Sequence, residues 1–322
     1  MKPARRSGPR SVLVYNPDAD EAARYAELTR APKRAVALHV CATPKEAEAV
    51  IADAEILFAW KPPVALYAKA PRLRWLQAMG AGVDWALVPE LPRHVIVTRA
   101  PGIFGPWMTE YVLGWCLSIT QRTETYRQAQ RARRWIGEIL PDRLRGKTMV
   151  VVGLGDIGRH IARTARFLGM RVLGVSRSGR AVPEADRVHR ISAMATALAA
   201  ADFVVLVTPL TDDTRGFFGE RALAALPPRA WLVNIGRGAL VDEPALEEAL
   251  RTRRIAGAIL DVFTEEPLRP DHPLWSLPNA IITPHISGPS TPEEIAPIFN
   301  DNLARYLSGR PLRHTVDRRR GY

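Results

Sequence analysis

Short apolar runs alternate with stretches of helical period along the whole chain. Residues 12–15, 36–40, 56–60 and 73–77 read as strands, and 21–28 and 45–54 between them as helices. Strands spaced by helices of this length predict a parallel sheet wound through crossovers, because tight turns cannot join parallel neighbours. After a further strand at 95–98, Pro101 and Gly102 interrupt the pattern, and a long helical stretch follows at 107–120. The alternation then resumes. Residues 148–152 show no polar alternation, which suits a strand buried on both faces; a helix over 157–168 follows, then strands at 171–175, 203–207, 231–234, 257–260 and 279–283. A closing helix over 292–307 can cross back to the first unit. The pattern predicts an α/β protein of two domains, a smaller one of residues 1–101 with 290–322 and a larger one of 102–289.

Between the strand at 148–152 and its helix stand Gly153, Leu154, Gly155, Asp156, Ile157 and Gly158. In a strand-turn-helix setting the first glycine makes the tight turn, the second lets backbone approach a ligand, and the third lets helix and strand pack closely. Amides at the helix start, at Asp156 and Ile157, then favour a pyrophosphate. The next strand ends in Ser176, Arg177, Ser178, Gly179 and Arg180, where an NAD site would place an acidic residue for the ribose hydroxyls. Two guanidinium groups with neighbouring hydroxyls suit the 2′-phosphate of NADP instead; the alternative is a loop of solvated arginines. In the first domain, Met79, Gly80, Ala81 and Gly82 form either an ordinary tight turn or a concavity of amides able to hold a carboxylate. Trp60, ahead of Lys61-Pro62-Pro63, either walls a small pocket or fills core.

With 322 residues, 47% of them hydrophobic, the chain can bury two ordinary cores, and no apolar run reaches the length of a membrane span. The basic N-terminus, with Lys2, Arg5 and Arg6, lacks the apolar core of a signal peptide, so a cytoplasmic location is the default. Cys41 and Cys116 read as buried free thiols rather than a disulfide framework or a metal site. The net charge of +12 gathers at the N-terminus, at 122–134 and at Arg318, Arg319 and Arg320. Without interleaved aromatic residues this reads as a solvated basic face, and a nucleic-acid partner is not expected.

Three ionisable residues fall in loops on the sheet edge that bears the glycine turn: Arg237, Glu266 and His285. An arginine can hold a carboxylate and polarise a carbonyl, a histidine can exchange a proton near neutral pH, and a glutamate beside it orients the ring and stabilises the imidazolium. The set fits hydride transfer to a 2-oxo acid.

The glycine-rich unit, Thr208-Pro209-Leu210-Thr211, the stretch 233–242 around Arg237, Asp261-Val262-Phe263 with Glu266-Pro267, and Pro284-His285-Ile286 together resemble the signatures of the D-isomer-specific 2-hydroxyacid dehydrogenase family, in order and spacing over 144–288. Trp60-Lys61-Pro62-Pro63 and Met79 to Asp84 look most like its glyoxylate/hydroxypyruvate reductase A branch. The N-terminal extension and the segment Phe104 to Met108 depart from that branch. The resemblance implies a Rossmann-type doubly wound parallel sheet and a smaller flavodoxin-like substrate domain. It further implies hinges near Pro101 and Gly288, a substrate cleft between the domains, and dimers formed through the nucleotide-binding domain, with 107–120 a candidate interface. It makes His285 the acid/base, Glu266 its partner and Arg237 the binder of the substrate carboxylate and carbonyl. Thr208, Pro209 and Ile235 would line the dinucleotide, Asp261 would meet the nicotinamide carboxamide, and Trp60 with the Met79 to Gly82 loop would receive the substrate. NADPH is the expected cofactor, with NADH possible. The same scaffold also serves phosphoglycerate, formate and phosphite dehydrogenases and a dinucleotide-sensing corepressor, which are the alternatives.

Overall fold

The computed structural model describes residues 9–32 and 34–322, so Lys2, Arg5 and Arg6 of the basic extension lie outside the described residues. The chain divides into two compact units, one running to Ile103 and taking in Ser290–Tyr322, the other Phe104–Pro289. The first contains β1 (Arg10–Tyr15), α1 (Ala19–Leu28), β2 (Val36–Cys41), α2 (Pro44–Val50), β3 (Ile56–Ala59), α3 (Ala65–Ala68), β4 (Trp75–Ala78) and β5 (Ile96–Thr98). These strands form one parallel sheet in the order β2-β1-β3-β4-β5. All four residues of β3 and of β4 are buried, as expected of central strands covered on both faces. Local chemistry starts the helices: Asp18 accepts the amides of Asp20 and Glu21 ahead of α1, and Thr43 with Glu46 closes a capping box on α2.

The second unit runs α4 (Phe104–Thr120), α5 (Thr123–Arg131), β6 (Thr148–Val152), α6 (Asp156–Phe167), β7 (Arg171–Ser176), β8 (Arg187–Arg190), α7 (Met194–Leu198), β9 (Phe203–Leu206), α8 (Glu220–Ala224), β10 (Trp231–Asn234), α9 (Glu243–Arg251), β11 (Gly257–Leu260) and β12 (Ala280–Ile282). Its parallel sheet has the order β12-β11-β10-β9-β6-β7-β8. From β6 the chain first winds outward through β7 and β8, then returns to β9 on the other side. The order reverses between β6 and β9, and a doubly wound sheet opens a crevice beyond the carboxyl ends of its strands at such a point.

Two elements differ from the sequence expectation. β8 was not foreseen because its residues, Arg187, Val188, His189 and Arg190, present little apolar surface; it is an edge strand, which needs only one buried face. Helix α4 begins at Phe104 rather than near 107. Its first turn includes Gly105, where a Cβ would come 3.1 Å from His160 on α6, and Thr109 Oγ1 lies 2.8 Å from His160 Nδ1, so contact with α6 holds this turn.

The last helix, α10 (Pro292–Leu307), belongs to the first unit. Phe299 stacks on Phe58 of β3 at 4.1 Å and on Trp75 of β4 at 5.3 Å, while Asn302 donates to Gln77 Oε1 at 3.3 Å. Aromatic area and a satisfied buried amide thus bind helix to sheet. Among the described residues no helix is long and apolar enough to cross a membrane.

Candidate active site

The turn after β6 is shaped by what its glycines exclude. Gly153 has φ +107°, and a Cβ there would sit 2.8 Å from Val207 O at the end of β9. At Gly158 a Cβ would fall 1.8 Å from Gly153 O, so the helix start is pressed onto the turn itself. At Gly155, by contrast, a Cβ would meet nothing within 4 Å. Gly155 is also the N-cap of α6 and offers no side chain to the first-turn amides. Open space in front of helix amides is what an anion requires. Beside it, Thr208 Oγ1 is buried with no hydrogen-bond partner among the described residues, and such a group calls for an outside partner. Turn and hydroxyl together fit the phosphates and sugar edge of a bound dinucleotide. Of the neighbouring expected contacts, Pro209 is exposed, whereas Ile235 is buried and continues β10 by donating to Leu206 O.

At the end of β7, Ser176 Oγ accepts Gly179 N–H at 3.1 Å and Ser178 Oγ accepts Arg180 N–H at 3.3 Å. The hydroxyls therefore build the loop while keeping their hydrogens for an acceptor. Arg177 and Arg180 are exposed, and the loop contains no carboxylate. The next acid along the chain, Glu184, is already engaged. Arg159 of α6 grips it with two hydrogen bonds of 3.0 Å and Arg163 adds one of 3.2 Å, which holds its carboxyl down to about 2.

On the other side of the reversal, His285 Nδ1 lies 2.8 Å from Glu266 Oε2, while Glu266 Oε1 accepts Phe263 N–H at 3.1 Å. An ionised carboxylate only accepts, so Nδ1 carries the hydrogen and Nε2 is the nitrogen left for exchange with a substrate. His285 and Glu266 are each about a third exposed, at 36% and 31%. His285 occupies the left-handed region at φ +55°, and Asp261 builds the turn that keeps it there. Fully buried, Asp261 accepts Ile286 N–H on Oδ1 and Ser287 N–H on Oδ2, both at 2.8 Å, while its backbone oxygen accepts His285 N–H at 2.8 Å. The expected carboxamide contact therefore concerns a carboxylate already committed to the His285 turn.

Arg237 follows β10. Asn234 braces its loop, donating to Arg237 O at 2.9 Å and accepting Gly236 N–H at 3.2 Å, and the guanidinium donates to Gly236 O at 2.8 Å. A Cβ on Gly238 would fall 1.8 Å from the carbonyl carbon of Phe263, so the Arg237 loop is packed directly on the segment that leads to Glu266. In the first unit, Trp60 lies against the Gly80 loop, and a Cβ on Gly80 would meet Trp60 Cζ3 at 2.6 Å. Gly80 O accepts Ala100 N–H at 2.9 Å and Gly82 O accepts Trp85 Nε1–H at 3.1 Å. In a trans peptide the N–H points opposite to the C=O, so the Ala81 amide faces away from Ala100.

Asn234, Thr283, which donates to Asp261 Oδ1, and Tyr111, whose hydroxyl meets Thr283 Oγ1, belong to this framework and were missed from sequence. A polar residue closing an apolar strand, as Asn234 and Thr283 do, is the signal that could have found two of them. Tyr111 lies far off in sequence on α4 and gave none.

Comparison with known proteins supplies relatives for this arrangement. Residues 113–287 match the family model described as D-isomer specific 2-hydroxyacid dehydrogenase, NAD binding domain. The glyoxylate/hydroxypyruvate reductase B of Pectobacterium carotovorum is 37% identical over 77% of this chain and 80% of its own. A D-isomer specific 2-hydroxyacid dehydrogenase family protein from Aeromonas salmonicida superposes with TM-score 0.89 at 39% identity, covering 96% of this chain and 99% of its own. The NADPH-dependent glyoxylate/hydroxypyruvate reductase of Sinorhizobium meliloti, solved with NADP and sulfate, superposes with TM-score 0.87 at 29% identity, covering 98% of this chain and all of its own.

Proposed function

This chain belongs to the D-isomer-specific 2-hydroxyacid dehydrogenase family, and from that premise we propose that it reduces a small 2-oxo acid of the glyoxylate or hydroxypyruvate type to the D-2-hydroxy acid, with NADPH as preferred cofactor and NADH as second. The observation that carries the reading is the His285–Glu266 pair, formed between the segments that follow β12 and β11, on the same sheet edge as the Gly153 to Gly158 turn. The reduced dinucleotide, when bound, supplies the hydride. His285 gives the carbonyl oxygen its proton from Nε2, while Glu266 fixes the ring through Nδ1 and stabilises the imidazolium. Arg237 holds the substrate carboxylate and polarises the carbonyl; in the first unit, the amides of the Met79, Gly80, Ala81 and Gly82 loop beside Trp60 are the groups suited to a carboxylate.

The preference for NADPH is supported by the loop Ser176, Arg177, Ser178, Arg180, which has no carboxylate to repel a 2′-phosphate, and by the NADP bound in the S. meliloti relative. We extend the reading to a homodimer. Trp107 and Leu117 on α4 are each more than 40% exposed and Trp135 is 97% exposed, a cost that a second copy would remove. A cytoplasmic location is supported by the two free buried thiols, Cys41 and Cys116.

The test is the rate of NADPH and NADH oxidation with glyoxylate, hydroxypyruvate, pyruvate and phenylpyruvate. Fast oxidation of NADPH with glyoxylate and hydroxypyruvate is the expected result. No oxidation of either cofactor by any of the four would refute the proposal.

A further inference from the structure

The turn that carries His285 is tied to a residue in a distant part of the same unit. Thr283 Oγ1 donates to Asp261 Oδ1 at 2.6 Å, and Tyr111 OH of α4 lies 2.6 Å from Thr283 Oγ1. The direction of the chain follows from proton count. Asp261 only accepts, so the single hydroxyl hydrogen of Thr283 goes to it, and Tyr111 must be the donor to Thr283. Burial pushes the Tyr111 hydroxyl up to about 12, so it keeps its hydrogen throughout the neutral range. Its ring is set edge-on to Trp115 at 6.4 Å. Asp261, fully buried, thus collects one hydroxyl and two amides on its carboxylate, and those amides, from Ile286 and Ser287, directly follow His285.

We propose that Tyr111 is a positioning residue whose hydroxyl, acting through Thr283 and Asp261, locks the left-handed turn that presents His285. A residue with a Cβ stays at φ +55° only where its surroundings hold it, and the Asp261 carboxylate is what holds this one. With Tyr111 donating, the Thr283 hydroxyl has one orientation. That orientation fixes the side chain of Asp261 between the two amides it receives. Without the Tyr111 hydrogen, Thr283 can rotate, and the carboxylate is free to move with respect to Ile286 and Ser287. The assignment rests on the reading of His285 as proton donor, and it adds a residue on α4 that acts on His285 through Thr283 and Asp261.

The test compares Tyr111→Phe, Thr283→Val and the double variant by amide hydrogen exchange, thermal melting, NADPH titration and turnover. Losing one hydrogen bond of such a chain should raise exchange at Ile286 and Ser287 and lower kcat, each by about five- to tenfold, with NADPH affinity and the rest of the exchange map unchanged. The double variant should lose no more than Thr283→Val alone, since both cut one chain, and Thr283→Ser should recover most of the loss. A role in stability alone would raise exchange across the whole unit. The proposal is overturned by parent-like exchange at Ile286 and Ser287 in Tyr111→Phe, or by faster exchange with unchanged kcat. His285→Gln, measured alongside, separates the two readings. Parent-like turnover there refutes the role of His285 itself, while the exchange map still decides whether Tyr111 holds the turn.

Discussion

Replacing Gly158 with alanine sets two opposed effects against each other. In an exposed helix interior the change stabilises by about 1 kcal/mol through backbone entropy. Here the new methyl would lie 1.8 Å from Gly153 O, with Val207 Cγ1 at 3.2 Å on its other side. The obstacle is the backbone oxygen of a residue at φ +107°, which cannot turn aside like a side chain, so α6 must shift by roughly 1 Å or more. Overpacking of this kind costs about 1–3 kcal/mol or more, so the clash outweighs the propensity gain. A net loss of about 1–2 kcal/mol in a unit of this size corresponds to a melting temperature lower by about 2–8 °C. On the proposed placement of the dinucleotide, the same shift carries the α6 amides away from the phosphates, and losing one charge-assisted hydrogen bond should weaken NADPH binding by at least about tenfold. Thermal melting and NADPH fluorescence titration read the two effects separately. Gly155→Ala is the control: its methyl meets no protein atom within 4 Å, so melting should match the parent while NADPH binding weakens. Gly158→Ala with parent-like melting and parent-like NADPH affinity would refute the argument.

Three further outcomes are expected. Arg177→Asp places a carboxylate in the loop after β7, and the ratio of kcat/KM for NADPH over NADH should fall by about ten- to a hundredfold; an unchanged ratio means that the 2′-phosphate is read elsewhere. Gly80→Ala drives a methyl to 2.6 Å from Trp60 and should displace that ring, raising KM for the 2-oxo acid with little change in NADPH affinity, as initial-rate kinetics will show. Glu184, held down to about 2 by Arg159 and then Arg163, contributes stability that is fully present above its ordinary carboxylate range and is lost as pH falls toward 2. Urea unfolding of Glu184→Gln should therefore show lower stability than the parent at neutral pH and a difference that closes in acid; a difference independent of pH would contradict the ion-pair account.

Much of the fold was legible because its signals are local. An uninterrupted apolar run such as Thr148–Val152 has no face to give to water, so it is a central strand of a parallel sheet, and all five of its residues are buried. The Gly153 to Gly158 spacing announced a strand-turn-helix, and the positive φ of Gly153 is its physical content. Edge strand β8 escaped because pairing on one side asks for no apolar pattern. The start of α4 escaped because Gly105 and Pro106 are poor helix formers, and packing against His160 on α6 outweighs their propensity.

For the candidate site the division is sharper. Arg237, Glu266 and His285 could be named from sequence as polar residues after strands, since a doubly wound sheet sends every such loop to one edge. Their partners depend on separations no linear pattern records. His285 meets Glu266 across 19 positions and Tyr111 meets Thr283 across 172. What the sequence by itself determined is most of the secondary structure, the glycine turn and the sheet edge that bears the candidate residues, because each follows from the conformational limits and solvation of neighbouring residues. Only the tertiary structure decided that Asp261 spends its carboxylate on the His285 turn and that Gly238 admits the backbone of Phe263. A buried carboxylate takes whatever donors the packed chain brings within reach, and a glycine is required wherever a remote backbone arrives, so both roles exist only once the strands have assembled.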